Sequence, residues 1–542
     1  MNPKRRVPSG VWVLASLITL VVAPVAHAQF YDDARRSLGL GPDPTSRSPR
    51  LLGMGRLGLV VDDIHHRYDV WEYAANPAGL LGADSTSSLE FYPATANHSA
   101  VHDDGSSGTT RQVQDFALHE MRTGYEMWRR TAAGNAFGLM GEYGRLRTDS
   151  PLAPGSETRT QFSTPRTALV ISGHMPLILS NKLRYGITFT HRYQTRDDEP
   201  HSIVSNAAGD WIDKDGSALT ATSSFTPDHY GIRSVGARAG LMYRVAGVDL
   251  AGGYDYVSNA IEGRNDAIRT ASEVRENRPY GTWSLTAASR RGPLSFVGDA
   301  RTWRTGRTDQ RWFATLSTGT GAVPVTGRGL YQRREETGHE YSGRVGWTAG
   351  SLTLTAGGDT WRREAKTLVP PFDDRTSFNY FLDQISGRPG ADTLSLPDSL
   401  RNNATTETGD EFGFGASFHL PWRAMLAGAE YHHEGGTFDQ LLSGPGPERS
   451  AWDVRGGVEV PINSRLAVRG GYQYRKYDTD ANTEQNEYLS QAVSAGLGYM
   501  PLRSHWGVDV GYQVRWTRAD FGDPTRFRSN DQAGLARLRW VF

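Results

Sequence analysis

Cysteine is absent from the 542 residues. In an exported chain this removes any disulfide framework, so stability has to come from topology and packing. Net charge is also absent: 59 basic and 59 acidic residues cancel. That balance excludes a dedicated nucleic-acid binder or a polybasic surface. After the first thirty residues no stretch approaches the ~18 consecutive apolar residues that mark a helical span. Catalytic motifs are missing as well: no G-x-S-x-G elbow, no P-loop and no H-E-x-x-H. The chain reads as a non-enzyme, with no cofactor and no metal expected. His65-His66 and His432-His433 are adjacent pairs, and strand neighbours point to opposite faces, so neither His432 nor His433 suits a shared metal. Asp478–Glu484 alternates oxygen ligands but lacks the Gly and Glu of an EF-hand, which leaves only a loose surface cation site.

What is present is alternation. Counting back from the last residue, Phe542, Trp540, Leu538, Ala536 and Gly534 fall on one face, and Val541, Arg539, Arg537 and Leu535 on the other. A side-chain period of two makes this a strand, apolar on one face and basic on the other. The pattern recurs from Trp506, Leu466, Trp452, Val235 and Val248. Each run is roughly the 9–11 residues of a tilted membrane strand, with aromatics at the ends of the apolar face. A soluble sandwich or propeller would use the same alternation. No fixed repeat of ~40–50 residues supports a propeller.

The first residues have the three parts of a secretory signal: Lys4, Arg5 and Arg6, an apolar run over Val11–Val22, and Ala26-His27-Ala28 before Gln29. The run is shorter than the ~20 residues of a membrane anchor, and Pro24 follows it. Residues 1–28 are therefore predicted to be a cleaved signal peptide.

Connections alternate between short polar links and longer stretches rich in Asp, Asn, Ser, Gly and Pro. Loops are predicted at Asp149–Ser163, Asp198–Ile232, Arg264–Asn277, Thr308–Thr337, Leu368–Gly409 and Asp478–Glu487. Short turns on one side and long loops on the other fit a transmembrane antiparallel β-barrel of about 18 strands, within a range of ~14–18. The Thr308–Thr337 stretch has room for a further pair. The all-β barrel is assigned to residues 86–542, with residues 29–85 as a separate N-terminal segment.

That segment does not alternate. It carries Gly53-Met54-Gly55, then Gly58, Asp62 and Asp63, then Asn76-Pro77-Ala78-Gly79-Leu80. This pattern resembles the N-terminal signature of the FadL/TodX-like outer-membrane transport family, which includes PorV-like relatives. The likeness covers about thirty residues directly, and the rest of the chain matches in barrel character. Arg56 stands where the family has a small residue, and Ile64–Ala75 is longer and more polar than usual. The resemblance implies a plug inside the barrel over residues 29–85, an outer-membrane location and passive uptake of small hydrophobic, fatty-acid-like compounds. A periplasmic tail is the plainer alternative for this segment.

Function should be read from the lumen face. Inward positions are assigned to Arg238, Arg244, Asp249, Asp255, Asp359, Arg455, Glu459, Arg469, Arg475, Asp509, Arg515, Arg537 and Arg539. Both signs are present, which suits cross-strand pairing along a solvated wall as well as a solute path. The loop aromatics Phe372, Phe378, Tyr380 and Phe381 make a candidate lip. Trp540 and Phe542 resemble the terminal signal by which outer-membrane barrels are recognised, so barrel-assembly machinery and outer-membrane lipids are the expected partners, with a hydrophobic small molecule as the substrate and no nucleic acid. A PorV-like scaffold in protein secretion or surface attachment, and a general porin, are the competing functions.

Overall fold

The computed structural model describes residues 48–61, 77–78, 87–103, 113–131, 135–153, 156–174, 183–197, 204–205, 211–212, 229–265, 272–316, 325–368, 402–420, 425–440, 448–481, 484–500, 505–520 and 526–541. One short helix, α1 (Pro49–Gly53), precedes the strands. They begin with β1 (Ser87–Phe91), β2 (Ala94–Asp103), β3 (Val113–Arg130), β4 (Ala136–Ala153), β5 (Ser156–His174), β6 (Leu183–Asp197), β7 (Val204–Ser205) and β8 (Trp211–Ile212). There follow β9 (His229–Val245), β10 (Val248–Asn265), β11 (Ser272–Arg291), β12 (Leu294–Leu316), β13 (Val325–Ala349) and β14 (Leu352–Leu368). The last group is β15 (Asn402–Leu420), β16 (Met425–Gln440), β17 (Glu448–Pro461), β18 (Leu466–Ala481), β19 (Glu484–Tyr499), β20 (Trp506–Asp520) and β21 (Arg526–Val541).

Nineteen of these strands form one sheet, and β7 with β8 make a separate small hairpin. From β2 onward each strand of this sheet pairs antiparallel with the next one in it, β6 pairing with β9 across the small hairpin. β1 and β2 both lie between β3 and β21, so they are two halves of a single stave, interrupted at Tyr92-Pro93. The described ring thus has eighteen staves and closes on itself where β21 meets β1 and β2. Closure leaves no free edge in the described sheet, so the wall's backbone groups can pair with neighbouring staves.

The two faces separate by residue type. Leu285, Val345, Phe414, Tyr472, Leu497 and Trp540 are among the apolar side chains exposed on the outside. Their immediate neighbours on each strand turn inward. On β20, Trp506 and Trp516 bracket the outer face ten residues apart. At ~3.4 Å per residue and a tilt of ~40°, that spacing spans roughly 26 Å, close to the ~25 Å height of a membrane barrel's apolar band. The barrel is therefore transmembrane, with the tryptophans at its two interfaces. No described helix is long and apolar enough to cross a membrane.

Several stretches predicted to be loops are strand. Asp149–Ser163 lies mostly in β4 and β5, and Thr308–Thr337 belongs largely to β12 and β13, which run 23 and 25 residues. Arg264–Asn277 and Asp478–Glu487 are likewise mostly paired. The extra length adds no new stave. The hairpins simply continue past the apolar band, where both faces are wet. Pairing there needs no hydrophobic alternation, so its sequence looks like loop. Residues 369–401, with the candidate lip, lie outside the described residues.

Closure is reinforced on the inside. Glu90 of β1 pairs with Arg537 and, at 3.1 Å, with Arg539 of β21, while Arg537 reaches Glu126 of β3 at 3.6 Å. Tyr92 packs flat over Gly124, its amide donating to the Gly124 carbonyl at 3.0 Å. Glu90, Glu126 and Arg537 are nearly fully buried, so removing one charge strands the others. Glu90→Leu should cost about 3 kcal/mol of barrel stability, measured by urea unfolding in vesicles with the heat-modifiable gel shift. An unchanged midpoint would remove the seam cluster from the account.

Candidate functional site

The interior site starts from one turn of helix. Ser48 caps α1 by accepting from the Leu51 amide at 3.1 Å, and Pro49 occupies the first turn, where a missing donor costs nothing. The helix ends as Gly55 and Arg56 take positive φ, +72° and +66°. Arg56 occupies a conformation that favours glycine, and its amide donates back to the Leu51 carbonyl at 2.8 Å. This reversal gathers Leu51, Met54, Leu57, Val60 and Val61 into a small core against Leu426 of β16. Met54 and Leu57 have no exposed surface at all.

The barrel wall makes room by omitting side chains. Gly415, Gly428, Gly457, Gly471, Gly496 and Gly511 face inward on six consecutive staves, β15 to β20. Gly428, Gly457 and Gly471 are direct register partners, as are Gly496 and Gly511. A Cβ on Gly457 would strike the Met54 carbonyl, one on Gly471 the Gly55 amide, and one on Gly511 the Pro49 carbonyl. The contact of Gly53 with Gly496 is mutual: a Cβ on Gly53 would lie 2.8 Å from the Gly496 Cα. Residues 48–61 thus lie as a strap directly on the backbone of the wall. On the far side of the ring, buried Pro77 and Ala78 press against Gly186 of β6 in the same way.

Polar latches tie the strap down. Glu430 of β16 accepts from the Leu59 and Val60 amides with one oxygen, both at 2.6 Å. Its other oxygen is 3.0 Å from His432 Nε2, and His432 Nδ1 is 3.1 Å from Glu411. Ser417 donates to the Val60 carbonyl at 3.2 Å, and Arg455 to the Arg56 carbonyl at 3.1 Å. Arg50 makes a two-toothed pair with Glu459, both contacts at 2.8 Å. Glu459 also receives Arg469 at 2.6 Å, and Arg469 reaches Asp509 at 2.6 Å. Charge-assisted, bidentate bonds of this kind are the strong class.

The residues singled out from sequence distribute as follows. Gly53, Met54 and Gly55 lie in the strap, Gly58 is exposed beside it, and Pro77 and Ala78 are buried on β6. Asp62, Asp63, Asn76, Gly79 and Leu80 lie outside the described residues, as do Phe542, His65 and His66. Arg455, Glu459, Arg469 and Asp509 meet in the latch network, and Arg537 and Arg539 meet at the seam. Arg515 donates to Gln473 at 3.2 Å, and Arg475 pairs with Glu434 at 2.8 Å. Arg238 pairs with Asp255 and Arg244 with Asp249, each at 2.6 Å, well away from the strap. Asp359 stands in register with Glu411, two staves from His432. Trp540 is outside, opposite Trp506.

Sequence reasoning missed Arg50, Glu90, Glu126, Ser417 and Glu430. Glu430 was within reach, because Gly428, Glu430 and His432 alternate with Ala429, Tyr431 and His433. The strap's hydrogen-bond partners are 357 or more residues away in sequence, and no local pattern joins them. Among the described residues no cluster of metal-ligating side chains is present.

A cavity of about 350 Å³ lies between α1 and the short-turn ends of β17 to β21. Leu466, Tyr499 and Met500 contribute apolar surface to it, and Arg50, Arg469, Arg537 and Arg539 contribute positive charge beside Glu459 and Asp509.

No family model matches this chain. No curated protein matches its sequence. Solved structures similar to it include hydrophobic-compound channels. A FadL homologue of Pseudomonas aeruginosa is 10% identical with a TM-score of 0.36, covering 92% of this chain and 98% of that one. The Pseudomonas putida toluene transporter TodX is 10% identical with a TM-score of 0.34, covering 91% and 98%. The siderophore receptor PiuA of Acinetobacter baumannii is 9% identical with a TM-score of 0.41, covering 84% and 82%. Likenesses this distant do not bear on which compound this chain handles.

Gly471→Val places two methyl groups where the strap backbone now lies. The barrel should still form, but trypsin should cut at Arg50 or Arg56 in the variant and not in the parent. Equal protection in both would contradict the close packing.

Proposed function

We propose that this chain is an outer-membrane barrel for passive uptake of small hydrophobic compounds through a lumen closed by its own N-terminal strap. The observation that carries this reading is the strap itself. It rests on β15 to β20 and reappears against β6, near the short-turn ends of the staves. Solute would have to pass beside it or displace it. The latches that hold it are hydrogen bonds and ion pairs from a few side chains, a set that can open without disturbing the wall.

The cavity beside α1 supports an amphipathic, fatty-acid-like solute. Its volume falls in the range of ~300–1,000 Å³ usual for small-molecule pockets. Apolar surface from Leu466, Tyr499 and Met500 suits a hydrocarbon body, beside a wall of paired charges. The FadL and TodX likenesses agree with this reading without adding weight to it. A PorV-like scaffold is the second reading, favoured by β12 and β13, whose length carries a paired hairpin well beyond the apolar band. A general porin fits poorly with a strapped lumen.

The test is reconstitution in vesicles with a fluorescent fatty acid outside, together with planar-bilayer conductance. The parent should take up the fatty acid and pass little ion current. Glu430→Ala leaves the Leu59 and Val60 amides without their acceptor, at a cost of about 1–3 kcal/mol. It should raise conductance while the barrel stays folded. No uptake by the parent, with no gain of current in the variant, would sink the transport reading and leave the scaffold.

A further inference from the structure

The outer face of β20 and β21 carries a like-charge pair. Arg518 and Arg528 are direct register partners, and both are exposed. Arg518 shares the outer face with Tyr512 and Trp516, and Trp516 is 49% exposed. The row continues to Leu489 on β19 and to Val101 on β2. Arg518 and Arg528 therefore stand directly opposite each other, with Leu489 and Val101 next in the row and Asp115 two strands beyond Arg528. In the row above, Arg526 stands in register with Asp520 and Asp103, and Asp520 with Glu487. In the row below, Gln491, Trp516, Asn530 and Ser99 are all uncharged.

Like charges directly opposite on paired strands repel, so the pair calls for an anion. Its height says which kind. Trp506 and Trp516 mark the two margins of the apolar band on β20. Arg518 lies two residues beyond Trp516, or roughly 5 Å further along the membrane normal at the usual rise and tilt. That is headgroup depth. Two planar forks at that depth match the oxygens of a phosphate group.

We propose that Arg518 and Arg528 form a binding site for the phosphate of a membrane lipid headgroup, with the lipid's acyl chains lying along Trp516 and Tyr512. The site sits at the long-loop margin of the barrel, so in an outer membrane its ligand is a phosphorylated glycolipid of the outer leaflet. It rests on the barrel being transmembrane and is independent of what passes through the lumen.

The test is native mass spectrometry of the full barrel released from detergent containing lipid A, or lipid A stripped of its phosphates. The parent should retain the phosphorylated lipid with an affinity about tenfold higher than the stripped one. The double variant R518Q/R528Q should lose that difference while keeping the heat-modifiable shift of a folded barrel. R518K/R528K, which keeps charge but not the fork, should fall between them. R311Q, far above the band, should bind as the parent does. Equal retention of both lipids by the parent, or an undiminished preference in R518Q/R528Q, overturns the proposal. So does inorganic phosphate displacing the lipid at equal concentration, which would mark an unselective anion site.

Discussion

Everything in this barrel depends on the pairing of β21 with β1 and β2. A sheet with an apolar outside cannot leave a row of amides and carbonyls unpaired in hydrocarbon, because each would cost several kcal/mol. Ring closure meets that demand for all staves at once. It also fixes which face is which: once Trp540 pairs with Trp506 on the outside, Arg537 and Arg539 must face in. Their charge is then answered by Glu90 and Glu126 from the other side of the seam. The seam is thus also a place where buried charge is concentrated.

Closure creates an interior, and the interior has to be occupied or wet. On β15 to β20 the wall gives up its side chains, six glycines in place of bulk, and the strap fills the space. The exchange puts backbone against backbone, where dispersion contacts are dense but polar groups are easily stranded. Glu430, Ser417 and Arg455 supply the partners that the strap's own short helix cannot. Glu430 is shared between the strap and His432, so the latch is continuous with the row of inward charges on β15 to β17. The strap's two kinds of contact divide the work. The apolar core of Leu51, Met54 and Leu57 holds the strap compact, while polar contacts hold it in place.

Much of the wall was legible in the sequence. β9, β10, β17, β18, β20 and β21 alternate so regularly that their inward residues follow from parity alone. The number of staves was legible too, from the alternation of short and long connections. Strand length was not. Above the apolar band, the residues Thr308–Thr337 pair with one another as well as those below, but nothing there penalises a polar side chain on either face. The local composition of a wet hairpin and a loop is the same. The strap was legible as a non-alternating segment with a Gly-Met-Gly turn, and its course along the wall was not.

By itself, then, the sequence determined the periodicity, and with it the barrel, its lipid face and its charged lining. A period of two is a local property, set by the pleat of each strand and repeated independently eighteen times. Tertiary structure alone decided where the N-terminal strap lies, which carboxylates hold it, and that Arg518 meets Arg528 over Trp516. Those contacts join residues that share no local pattern. They depend on the register of each stave against its neighbours and on the course of the strap across them, and neither can be read from any one strand.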